Sequence, residues 1–148
     1  MEDTIQDLIA SGELEFVSFD SDRPMAELDA AIIHYETALN SISTDPEGAF
    51  ILLYESAKRG LQAILAKESL RVRRPPNGNH FTFVKIGRTS LVTGEIWKPL
   101  DWMRSTRNQT SYLDQNTLPA SKADARQALI HVAAMLGEAR ARVSGTGS

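Results

Sequence analysis

The chain contains no cysteine among its 148 residues, which excludes disulfides, thiolate metal ligands and a cysteine nucleophile and suits a reducing cytosol. Aromatic residues are sparse, at 7%. No apolar run approaches the roughly 18 residues that a membrane span needs, and the opening Met1-Glu2-Asp3-Thr4 is acidic where a leader peptide is basic. Both features point to a cytoplasmic protein without membrane association. Glycine-rich phosphate loops, nucleophile elbows, HExxH sequences and EF-hand loops are all missing. The three histidines, His34, His80 and His131, lie far apart in sequence, read as surface or loop residues, and have no metal-ligand spacing. Neither a metal nor a cofactor is expected.

What is present is one domain's worth of material, 42% hydrophobic and 24% charged, long enough to bury about two-thirds of its unfolded surface. The formal net charge is only −3, but its distribution is polarised. Residues 1–57 carry thirteen acids and one base, whereas residues 58–107 carry eleven bases and three acids. Such a chain presents either a phosphate-attracting middle segment or two segments that face each other, within the fold or across a dimer.

Apolar residues recur at steps of three and four through most of the chain, the period of helices. Met25, Leu28, Ile32, Tyr35, Leu39 and Ile42 mark one face of a helix that starts after Asp22-Arg23-Pro24, with Asp22 as cap. Asp45-Pro46 opens a second helix, buried through Phe50, Leu53, Tyr54, Ala57, Leu61, Ile64 and Leu65. Gly60 falls inside that stripe, where a glycine costs about 1 kcal/mol against alanine, so a close helix crossing is expected there. Arg71 to Gly78, with paired prolines and Asn-Gly, reads as an exposed basic loop. Phe81 to Ile86 alternates like a strand, but a lone strand has nothing to pair with, so a short helix is expected. A helix from Pro99 to Leu113 buries Leu100, Met103 and Thr110, and the last helix starts near Pro119 or at a capping box formed by Ser121 and Asp124. That final helix is expected to bury Leu129, Val132, Ala133, Leu136 and Val143, with 144–148 a frayed tail. Residues 1–23 hold a short helix around Ile5 to Ile9 and an extended arm, Leu14 to Phe19. The sum is a single all-α domain, an antiparallel bundle of five to six helices with its core in 24–143.

The chemically informative segment runs from Asp101 to Tyr112. On a helix, Arg104, Arg107, Asn108, Ser111 and Tyr112 form a polar stripe beside the apolar one. A polar stripe is usually just the wet side of a helix. Two arginines, an amide and a phenol on one face nevertheless match phosphate oxygens and nucleic-acid bases. Lys58, Arg71, Arg73 and Arg74 are further candidates for phosphate contact.

Arg107-Asn108 followed by Tyr112, late in a small helical chain, resembles the motif of the HEPN superfamily (higher eukaryotes and prokaryotes nucleotide-binding domains). Its hallmark is an arginine, commonly followed by a polar residue, with a histidine four to six positions later. The run from Tyr54 to Leu65 is similar to the second core helix of small actinobacterial-type members, and the succession of elements over 24–143 follows the family's order. The resemblance implies a homodimer in which Arg107, Asn108 and Tyr112 take the catalytic positions of a metal-independent endoribonuclease. It also implies a toxin–antitoxin or phage-defence setting with a nucleotidyltransferase-type antitoxin as partner. Tyr112 stands where the family has histidine. A phenol with a pKa near 10 is protonated at neutral pH and lacks histidine's capacity as a general base, so RNA or nucleotide binding without efficient cutting is the expected activity.

A competing expectation is a non-catalytic dimeric interaction module in which Arg107 pairs with an acid such as Glu36 or Glu55. A third is a ligand pocket lined by Trp97, Trp102 and Phe81.

Overall fold

The computed structural model describes residues 3–111 and 120–145, with side chains for all of these except 108–111. Six helices and two short strands follow in the order α1 (Ile5–Ala10), β1 (Leu14–Phe16), α2 (Arg23–Ser41), α3 (Pro46–Lys67), β2 (Leu70–Val72), α4 (His80–Gly87), α5 (Trp97–Ser111) and α6 (Lys122–Val143). The helical bundle expected from the periodicity is therefore present.

The start of α3 follows its local chemistry, since the Asp45 carboxylate accepts the Gly48 N–H at 2.9 Å while Pro46 occupies the first turn. Ser121 and Asp124 satisfy each other's backbone N–H groups reciprocally at the start of α6, the expected capping box. Asn79 caps α4, whose existence as a helix agrees with the sequence reading. Asp22 does not cap α2. Its side chain makes no cap hydrogen bond, and Pro24 in the first turn removes one of the donors a cap would serve.

The central helix is α3, which buries every apolar residue expected of it, from Phe50 through Leu65. The Ser56 hydroxyl donates to the Ala31 carbonyl of α2 at 2.7 Å, which requires the two backbones to approach closely. That approach selects small residues, and it corrects the expected α2 stripe in part, since Leu28 is buried and Ile32, Tyr35 and Ile42 pack against the core as expected. The buried line is Pro24, Leu28, Ala31 and Ala38, while Met25 and Leu39 remain 47% and 46% exposed. Gly60 meets α6 as expected, because a Cβ there would lie 3.3 Å from Leu136 Cδ2 and 3.8 Å from Ala139 Cβ. On α6 the buried residues are Ala125, Ala128, Val132, Met135, Leu136, Ala139 and Val143. Ala133 faces outward and Leu129 is half-buried, a second correction.

A third correction concerns strands. Arg71 belongs not to a loop but to β2, which pairs antiparallel with β1 in the register Leu14 to Val72, Glu15 to Arg71 and Phe16 to Leu70. Three-residue strands are too short to show a period of two, and their stability comes from burying Leu14 and Leu70 rather than from alternation. The loop narrows to 73–79, exposed at 74–77 and 79 and buried at Gly78. Behind this ribbon, Glu13 is only 9% exposed and accepts from Ser11 Oγ (2.7 Å), Thr82 Oγ1 (3.0 Å) and Lys85 Nζ (3.1 Å), tying the N-terminal arm to α4. Among the described residues no helix is long and apolar enough to cross a membrane. Of the tail, Ser144 and Gly145 form a turn, and 146–148 lie outside the described residues.

Candidate functional site

Much of the charge polarity is consumed inside the fold. Nine ion pairs join described residues, and six of them connect an acid of the first 57 residues to a base of 58–107. Arg71 and Arg73 both engage Glu15, Lys85 engages Glu13, Arg59 engages Glu27, Arg88 engages Asp3 and Lys58 engages Glu55. Two of the phosphate-contact candidates, Arg71 and Arg73, are thus held by a carboxylate on the ribbon. Arg74 is exposed in the loop that follows.

Several of these paired cations gather with Arg104 and Arg107 where α3, α4 and α5 meet around two aromatic rings. Tyr54 is fully buried in the middle of α3, and Lys58, one turn further on, lies with its Nζ 5.0 Å from the Tyr54 ring centroid and 5.6 Å from that of Phe83. His80, the first residue of α4, packs its ring 5.6 Å from Tyr54 at 41°. From α5, the Arg107 guanidinium sits 5.8 Å from the same Tyr54 centroid. Beside this group, Arg104 lies 5.0 Å from the Phe81 centroid while Asp101 Oδ1 accepts from two of its nitrogens, at 3.0 and 2.9 Å. Arg88 and Lys85 also flank Phe81, at 5.4 and 5.7 Å.

Electrostatics within this cluster follow from burial and crowding of like charge. Burial depresses the His80 pKa below its ordinary value, and the cations Lys58 and Arg107 depress it further, so the ring is neutral at pH 7. Lys58 Nζ stands 3.3 Å from His80 Nδ1. An ammonium can only donate, so Nδ1 accepts and the ring proton resides on Nε2, making His80 a donor toward anything beyond it. Burial likewise lowers the Lys58 ammonium, with Glu55 at 3.0 Å opposing that effect. The Tyr54 phenol is pushed well above its ordinary range by burial, against the opposing pull of Arg107 and Arg104.

Of the residues singled out from sequence, the structure brings Lys58, Arg104 and Arg107 together and leaves Arg71 and Arg73 with Glu15. Asn108 and Ser111 lie on α5, with side chains outside the described set, and Tyr112 lies outside the described residues. Within the chain Arg107 has no acidic partner among the described residues, and Glu55 is occupied by Lys58. Trp102 packs against Phe50 and His131, whereas Phe81 and Trp97 lie 5.4 and 4.9 Å from the Arg88 guanidinium. Sequence reasoning missed Tyr54 and His80 as site residues. Tyr54 carries the signature of a core position, and the 25 residues between it and His80 include a loop, across which no periodicity reports proximity.

Comparison of the chain with family models, with curated proteins and with solved structures found no match in any of the three.

Proposed function

We propose that this chain is an HEPN-like protein that interacts with RNA or a nucleotide, with the cluster around Tyr54 as its contact surface. The single observation that carries this reading is the convergence of Lys58, His80, Arg104 and Arg107 beside Tyr54 and Phe81, with Arg107 free of any acid among the described residues. Cations beside the partly exposed rings of Phe81 and His80 suit phosphate oxygens and a stacked base. The resemblance further suggests a homodimer acting as the toxin or ribonuclease-type component of a toxin–antitoxin or phage-defence pair, with a nucleotidyltransferase-type antitoxin as partner. On this reading Arg107 stabilises charge on a phosphate, and the near-neutral base that a histidine at 112 would supply is lacking.

The test is binding of short single-stranded RNA without metal, followed as salt rises from about 50 to about 200 mM. Phosphate contacts make affinity fall steeply over that range, and Arg107→Ala should both weaken binding and flatten the slope. Incubating the same RNA with wild type and Tyr112→His reports whether restoring histidine restores cutting. Absence of binding to RNA and nucleotides at the lowest salt defeats the proposal. The alternative, a non-catalytic dimeric interaction module, is favoured by the six acid–base pairs that consume the polarity internally. It predicts that Arg107→Ala alters assembly and melting temperature while leaving nucleic-acid behaviour unchanged.

A further inference from the structure

Two donors at the centre of the cluster have no partner. The Tyr54 hydroxyl and the Arg107 Nε–H are both sealed from solvent, and neither makes a hydrogen bond with a described residue. Buried polar groups are satisfied in the great majority of native structures, so two orphans on adjoining residues call for an explanation. The surrounding groups are donors as well, since Lys58 is an ammonium and the His80 ring, accepting from it at Nδ1, keeps its proton on Nε2. The nearby carboxylates are occupied, Glu55 by Lys58 and Asp101 by Arg104. A site built from a phenol, a guanidinium, an ammonium and an imidazole N–H, with its acids neutralised, is complementary to a small anion that offers several oxygens.

The burial of these donors restricts the form of that anion. A phosphodiester inside a strand carries a sugar on each side and needs an open groove, whereas a terminal phosphate can enter end-on and leave the rest of the molecule outside. It also carries about −1.5 to −2 charge and three free oxygens, enough for three of the donors. Lys58 and His80, which are half-buried, form the edge open to solvent. Resting on the proposed function for the nature of the ligand, we infer that Tyr54, Lys58, His80 and Arg107 form a binding site for a terminal phosphate, the monoester end of an RNA strand or of a mononucleotide.

The experiment uses the full chain and four probes. These are one single-stranded RNA with hydroxyl ends, the same RNA with a 5′-phosphate, the same with a 3′-phosphate, and inorganic phosphate. Affinities come from fluorescence anisotropy for the RNAs and from thermal protection for inorganic phosphate. At least one phosphate-ended RNA should bind roughly tenfold or more tightly than the hydroxyl-ended one, the scale of a hydrogen bond to a charged group. Tyr54→Phe keeps the ring and removes the hydroxyl, and it should abolish most of that preference, read as the ratio of phosphate-ended to hydroxyl-ended affinity within the variant. Arg107→Lys retains the charge without the Nε–H and serves as a second variant should Tyr54→Phe fold poorly.

Equal binding of all three RNAs overturns the terminal-phosphate site and leaves RNA interaction standing. A preference that survives in both variants overturns the assignment to these residues. Protection by inorganic phosphate that is lost in Tyr54→Phe, with no RNA bound at all, supports the site and defeats the RNA reading. No response to any probe overturns both.

Discussion

Replacing Glu13 with glutamine isolates one buried charge that joins the N-terminal arm to α4. In the native protein Glu13 accepts from Ser11, Thr82 and Lys85, with Lys85 Nζ within 3.2 Å of both carboxylate oxygens. Glutamine retains the volume but loses the charge and replaces one acceptor with a donor that faces donors. Hydrogen bonds to a charged group contribute about 1.5–3 kcal/mol, and partial exposure of Lys85 places the loss near the lower end, about 2 kcal/mol. For a chain of this length that is about 4–8 °C in melting temperature at pH 7. Burial by itself would raise the Glu13 pKa, but the hydrogen bonds and the Lys85 charge outweigh it and hold the carboxyl below its ordinary 4.5. A carboxyl whose folded pKa is depressed contributes stability above its unfolded pKa, and that contribution disappears as pH falls through the folded value. The difference between wild type and Glu13→Gln should therefore be full at pH 7, begin to shrink near 4.5 and be largely gone once Glu13 is protonated. Calorimetric melts from pH 7 down to about pH 3 measure this directly. A difference that is absent at pH 7, or unchanged across the series, refutes the assignment.

Gly60→Leu places a branched side chain where a Cβ alone would already sit 3.3 Å from Leu136. Overpacking should cost about 1–3 kcal/mol in urea unfolding, and an unchanged midpoint would mean that α3 and α6 do not cross closely there. His80 should titrate below 6.5 in an NMR pH series, because burial and then Lys58 and Arg107 disfavour its protonation. Lys58→Met should move that midpoint upward by removing the adjacent cation, and a wild-type midpoint at or above 6.5 would contradict the described environment. Since unfolded His80 binds its proton more readily than folded His80, this group also subtracts stability as pH falls from 6.5 toward the folded value.

The long helices α2, α3, α5 and α6 were legible because each announces itself over about four turns or more, and Asp45-Pro46, Ser121-Asp124 and Gly60 mark two starts and a crossing in the sequence. The β ribbon was not, because its three-residue strands owe their pairing to contacts 56 residues apart, such as that between Glu15 and Arg71. On α2 the apolar stripe misled only at Met25 and Leu39, since close packing against α3 favours the smaller Ala31 and Ala38. Of the candidate site, Lys58, Arg104 and Arg107 could be read from residue type and helical spacing. Which bases stay free of acids could not, because neutralisation of Arg71 by Glu15 depends on the ribbon register. His80 joined the site only through the loop that returns α4 to the middle of α3.

The central claim is that the Tyr54-centred cluster, and not the basic ribbon and loop, is the surface that meets RNA. Ultraviolet crosslinking of bound single-stranded RNA followed by peptide mass spectrometry tests this most directly. The account predicts adducts at His80 or Phe81, at the accessible edge of the cluster, that are lost in Arg107→Ala. Adducts confined to 70–79, unchanged in Arg107→Ala and removed by Arg74→Ala, would contradict it.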